Sequence, residues 1–176
     1  TQYVDPLLAD SIGSPLAVEI IANNILKNPL VTAGGTSPNA AFETKLLFKN
    51  GRVSTVVNTT TNADLKLSPS LTRRLLKDLG PVLSDIRSVK RPIKMSVTNA
   101  TASLDNDVST LKADIVLDIG EVMLDNGSAT LKLLSLFKTK YNKHIPAFFD
   151  PIHIQIRKGV VRYKEFRLTL ANKYSI

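Results

Sequence analysis

The sequence predicts an α+β fold: a mostly antiparallel, twisted β-sheet built from helix-plus-hairpin repeats, with short helices at one side or end. Three observations predict it. Several segments alternate apolar and polar residues with a period of two, between turn residues, as half-buried strands do. Other stretches space leucine at helical intervals. One phrase (Pro, apolar, any, apolar, any, apolar) recurs at Pro15–Ile20, Pro92–Val97 and Pro151–Ile156. Proline cannot donate a ladder hydrogen bond, so each marks a point where a strand joins a sheet. The phrases divide a single domain, 1–176, into units of approximately 5–67, 68–124 and 125–176. Their spacings of 77 and 59 residues argue against a strict solenoid. Beginning at Thr1 with no signal-like segment, the chain reads as a fragment of a larger protein.

The elements follow in order. Asp5-Pro6 opens a short helix with Leu7, Leu8 and Ile12 on one face and Gly13 as its stop. A strand runs from Leu16 to about Leu26, with Val18, Ile20 and Ala22 on one side. Ile21 and Ile25 on the other side predict cover on both faces. Asn28 to Pro38 reads as a loop, because Gly34-Gly35-Thr36-Ser37-Pro38 is dense in turn residues. Ala40, Phe42, Thr44, Leu46 and Phe48 then alternate with polar residues as far as Asn50-Gly51. That pair suits a type I′ hairpin turn, which needs positive φ at both positions, and the return strand is Arg52–Thr60. Ser68-Pro69 opens the longest helical pattern, carrying Leu71, Leu75, Leu79, Val82, Leu83 and Ile86, with a kink or break at Gly80-Pro81.

The strand led by Pro92 continues to Leu104 and turns at Asp105-Asn106-Asp107. Leu111 to Ile119 alternates and extends past Gly120 to Leu124 through a bulge. Asp125-Asn126-Gly127-Ser128 leads into a short helix marked by Leu131, Leu134 and Phe137, and Lys138–His144 is a basic linker. Ile152, Ile154 and Ile156 form a strand that turns at Lys158-Gly159 into a second one bearing Phe166, Leu168 and Leu170. The last six residues, Ala171–Ile176, read as a fraying end or as the entry to a further segment.

Composition narrows the function. The chain has no cysteine, which removes disulfides, thiolate metal sites and a cysteine nucleophile. Its two histidines, His144 and His153, have no acidic neighbour in sequence, and no nucleophile elbow, zinc-binding His pair, dinucleotide loop or phosphate loop occurs. The chain therefore reads as non-enzymatic, with no cofactor and no metal. Net charge is +8, and residues 138–176 alone hold 9 Lys+Arg against 2 Asp+Glu. This basic surface, centred on Arg157, Lys158, Arg162, Lys164 and Arg167, either attracts polyanions such as lipid head groups or forms a solvated strand face that discourages edge pairing. Nucleic acid is disfavoured as a partner: there is no tryptophan, and Tyr163 and Phe166 fall on opposite strand faces rather than forming a stacking platform.

Pro6-Leu7-Leu8-Ala9-Asp10 leading to Pro15–Val18, Gly120–Leu124 before the Leu131–Phe137 helix, and Pro151–Val161 resemble the repeat units of the AsmA-like superfamily, which includes TamB-type envelope proteins. The resemblance implies a long, folded-over β-sheet with an apolar groove that carries phospholipid between the membranes of a double-membrane bacterium. It implies a periplasmic or envelope location, an anchor in a segment outside this sequence, and neighbouring repeats of the parent chain as partners. The groove liners it implies are Phe42, Leu46, Ile115, Leu117, Ile154, Ile156 and Leu168. The function expected is thus a non-catalytic cell-envelope module that binds lipid or forms part of a lipid-conducting groove. The alternative is a structural or protein-interaction domain without a ligand.

Overall fold

Strand alternation is realised as two antiparallel sheets in the computed structural model, which describes residues 17–56, 59–68, 72, 76–77, 80–105, 107–136, 144–170 and 174–175. The larger sheet has nine strands: β1 (Ala17–Asn23), β2 (Leu30–Thr36), β3 (Ala40–Lys49), β4 (Arg52–Thr55), β5 (Thr61–Leu65), β7 (Ile93–Ser103), β8 (Lys112–Asp118), β11 (Ile152–Arg157) and β12 (Val160–Glu165). Their order is β1-β2-β3-β4-β7-β8-β11-β12, and β5 lies beside β4 in the same gap between β3 and β7. The smaller sheet orders β14 (Tyr174–Ser175), β13 (Leu168–Leu170), β10 (Ile145–Phe149), β9 (Gly120–Leu124) and β6 (Ile86–Val89). One α-helix, α1 (Ser128–Leu136), is described, with short 3-10 turns at Pro81–Asp85 and Val108–Thr110.

The expected α+β fold of helix-plus-hairpin repeats is therefore replaced by two mostly antiparallel β-sheets. Three local outcomes explain the correction. The glycine-rich segment expected as a loop is β2, whose flat backbone fits because the Phe42 ring lies across Gly35. A Cβ there would stand 2.5 Å from Phe42 Cε1. The strand expected to continue past Gly120 instead changes sheets there, at φ +71°, with the Arg91 guanidinium over the glycine. The strand after Lys158-Gly159 is Val160–Glu165, and Leu168–Leu170 belongs to the smaller sheet.

Both hairpin turns form as expected, with positive φ at Asn50 (50°) and Gly51 (69°) and at Lys158 (54°) and Gly159 (72°). Of the long helical pattern, Leu71, Leu75 and Leu79 lie outside the described residues, as do the expected first helix and Phe137. Thr72 N–H donates to Ser68 O and Gly80 N–H to Leu76 O, the i to i−4 spacing of an α-helix. Leu76, Val82 and Leu83 are buried.

Four short passages link the sheets, between β6 and β7, β8 and β9, β10 and β11, and β12 and β13, and a longer connection through the Pro81–Asp85 turn joins β5 to β6. The four short passages lie at one end of the larger sheet, as the register places Gly120 opposite Phe149, Phe149 opposite Leu168, and Leu117 opposite Ile152. Pro92 and Pro151 occupy the two passages that enter the larger sheet. Ion pairs Arg91–Asp118 (2.6 Å), Lys90–Glu121 (2.8 Å) and Arg167–Asp150 (3.6 Å) lie around these passages. The core fills the space between the sheets at this end. Ala40, Leu65, Ile93, Leu117 and Ile152 of the larger sheet meet Ile86, Val122, Leu124, Ile145, Phe149, Leu168 and Leu170 of the smaller one, with Leu134 of α1.

Candidate functional site

Because side chains one row apart on neighbouring strands share a face, the pairing register defines what each face presents. One face of the larger sheet carries three cross-strand rows. The first is Val18, Gly35, Phe42, Ala63, Met95, Leu117 and Ile152. The second is Ile20, Ala33, Thr44, Thr61, Val97, Ile115, Ile154 and Tyr163, with Thr44 and Thr61 joined by a 2.7 Å hydroxyl hydrogen bond. The third is Ala22, Val31, Leu46 and Thr55 on one flank and Ala113, Ile156 and Val161 on the other. Ala100 N–H donates to Thr55 Oγ1 at 3.0 Å, bringing the bulge of β7 against this row. The result is an almost wholly apolar band crossing the sheet from β1 to β12.

Burial varies along that band, and in the third row Ala113 (4% exposed) and Thr55 (8%) are buried. Leu117 and Ile154 are 1% and 2% exposed. Phe42, Leu46, Met95, Val97, Ile115 and Ile156 are half-buried. At the two edges Ile20 is 65% exposed and Tyr163 43%. Partial burial raises the Tyr163 phenol above its ordinary range. All seven residues of β1 are exposed, against the cover expected on both of its faces, and among the described residues β1 is an edge strand.

The opposite face is largely polar. Asp114 sits near its centre and accepts from Gln155 Nε2 (3.0 Å), Asn99 Nδ2 (3.1 Å) and Arg157 Nη2 (2.7 Å). The Gln155 hydrogen bond leads the causes that hold its carboxyl below the ordinary carboxylate value, with Asn99 and the Arg157 guanidinium adding to it. Asn99 reaches this position from the bulge in β7, at φ 51°. An open depression of about 720 Å³ also lies mainly on this face, lined by Glu19, Thr32, Glu43, Asn62 and Asp64. Among the described residues no three His, Asp or Glu side chains are placed to hold a metal ion. His144 Nδ1 lies 2.7 Å from Asp125 Oδ1, a partner invisible in sequence, and His153 is half-buried on β11.

The structure sets Phe42, Leu46, Ile115 and Ile156 on one apolar face, all half-buried, with Phe42 and Ile115 packed against the core. Leu117 and Ile154 share that face but are closed over, and Leu168 is fully buried on the smaller sheet. Among the basic residues, Arg157 pairs with Asp114 and Arg167 with Asp150. Lys158, Arg162 and Lys164 are exposed along the β11–β12 hairpin and edge. Sequence reasoning missed Val31 and Ala33, because Gly34-Gly35 masked a small-residue alternation. It also missed Val161 and Tyr163, which precede the apolar run chosen as the strand. No family model, no curated protein and no solved structure matches this chain.

Proposed function

We propose that this chain is a non-catalytic module of the cell envelope that takes phospholipid acyl chains along the open apolar face of its larger sheet. The observation that carries the reading is the apolar band from β1 to β12, which the smaller sheet covers at one end only. Water is a poor solvent for such a surface, and an acyl chain laid across the strands would remove it from water at about 25 cal/mol per Å². Lys158, Arg162 and Lys164 at one edge suit the phosphate of a head group. The same arrangement suits a periplasmic setting, where lipid in transit needs cover.

Native mass spectrometry of the gently purified protein, with lipid extraction alongside, tests the reading. Near-stoichiometric phospholipid is the expected result. A clean apo mass that takes up no added phospholipid would overturn it in favour of a ligand-free structural or interaction domain.

A further inference from the structure

The two edges of the larger sheet are complementary to each other. Among the described residues β1 pairs only with β2, and β12 only with β11. The path from β1 to β12 holds eight strands, all antiparallel to their neighbours. An even number makes the first and last strands run in opposite directions. A second copy shifted sideways would therefore set its β1 antiparallel to β12 of the first, with the apolar face on the same side.

The side chains fit one register of that pairing. Setting Ile20 opposite Tyr163 also sets Ile21 opposite Arg162 and Ala22 opposite Val161, and brings Glu19 to Lys164, the residue at which β12 bulges against β11. The lone acidic residue of β1 then meets a lysine, and three exposed apolar side chains, Ile20, Tyr163 and Val161, are covered. In its two longest registers of the same facial phase, pairing of β12 with its own copy instead sets Arg162 against Arg162 or Lys164, a repulsive match. We infer that copies of this chain associate head to tail, β12 to β1, extending one amphipathic sheet from copy to copy. Such a contact uses two different patches and does not close on itself by symmetry, so it builds rows rather than fixed dimers. This inference stands on edge geometry and charge, and does not require bound lipid.

Because the chain has no cysteine, introduced thiols are unique. Ile20→Cys protein and isotopically heavy Tyr163→Cys protein are mixed and mildly oxidised, and the cross-linked species are weighed. The expected product is a light–heavy disulfide that forms in the mixture and in neither variant alone. Cross-linking of Ile20→Cys protein to itself, with none to Tyr163→Cys, would show β1 pairing with β1 and overturn the inference. Sedimentation of the unaltered protein adds a test that needs no substitution: its average mass should rise with concentration. A constant monomer mass up to millimolar concentration would overturn it as well. Glu19→Lys should weaken association by roughly two- to fivefold, and adding Lys164→Glu in the same chain should restore it.

Discussion

Asp114 and Gly35 carry the clearest consequences at the scale of single residues. Three side chains donate to the Asp114 carboxylate, which favours its charged form in the folded state. Its folded pKa is therefore depressed. The stability it adds is complete above the unfolded value of about 3.9 and is lost as pH falls through the folded one. Urea midpoints measured from pH 6 down to pH 2 should fall less steeply for Asp114→Asn than for the parent. Part of the acid slope should remain, because Asp105 is also depressed, chiefly by the Ser103 hydroxyl and then by the Asp107 amide. Equal slopes would show that the Asp114 cluster contributes nothing. Gly35 marks where sequence reading ends. Two adjacent glycines read as a turn because glycine usually serves chain reversal, yet here the lack of a side chain makes room for the ring of Phe42 on the next strand. That reason lies in a neighbour seven residues away and cannot be seen locally. Asn50-Gly51 and Lys158-Gly159 were legible for the converse reason, since their positive φ serves their own turns.

At the scale of elements, α1 depends on a residue far from it in sequence. Asp85 Oδ2 accepts from Thr130 N–H (2.9 Å) and Thr130 Oγ1–H (2.8 Å), so a carboxylate from the preceding 3-10 turn serves the first turn of the helix. A Cβ at Gly127 would run into that carboxylate. Asp85→Ala should cost about 1–2 kcal/mol in chemical denaturation, leaving the amide of buried Thr130 without its partner. The apolar band offers a paired test. Leu117→Ala cuts into the closed core and should cost about 2–5 kcal/mol. Ile156→Asp, on the half-buried part, should cost about 1 kcal/mol and should reduce phospholipid uptake. A loss of several kcal/mol with Ile156→Asp would place it in an ordinary core and remove it from any lipid surface. Individual strands were legible because alternation is local. Their assignment to two sheets was not, because Gly120 reads as a bulge in one continuing strand and Phe166 as a regular member of another, while in fact the chain changes layers at both places.

At the scale of the molecule, charge and amphipathicity decide what the surface can meet. Lys158, Arg162 and Lys164 have no acidic partner among the described residues, whereas Arg157 and Arg167 are paired. Binding to vesicles containing anionic phospholipid should therefore fall as salt rises from 50 to 500 mM on the order of the Debye length shrinking by threefold. Replacing Lys158, Arg162 and Lys164 with Gln should remove most of that dependence. Binding indifferent to salt and to anionic lipid content would rule out the basic edge as a membrane contact. The excess of positive charge was legible by counting, but which cations remain unpaired depends on Asp114 and Asp150, set beside them by the fold.

The short passages between the sheets, gathered at one end, grade the molecule's resistance to opening. Near them β7, β8 and β11 are anchored by covalent continuity, ion pairs and a closed core. Toward β1 the same sheet rests on its hydrogen bonds and one half-covered face. Backbone amides should therefore exchange with deuterium in a graded order, slowest in β8, β9 and β10 and fastest in β1 and β2. A ligand or a second copy that occupied the exposed end would reveal itself by slowing exchange there first, with little change in strands already protected by the core.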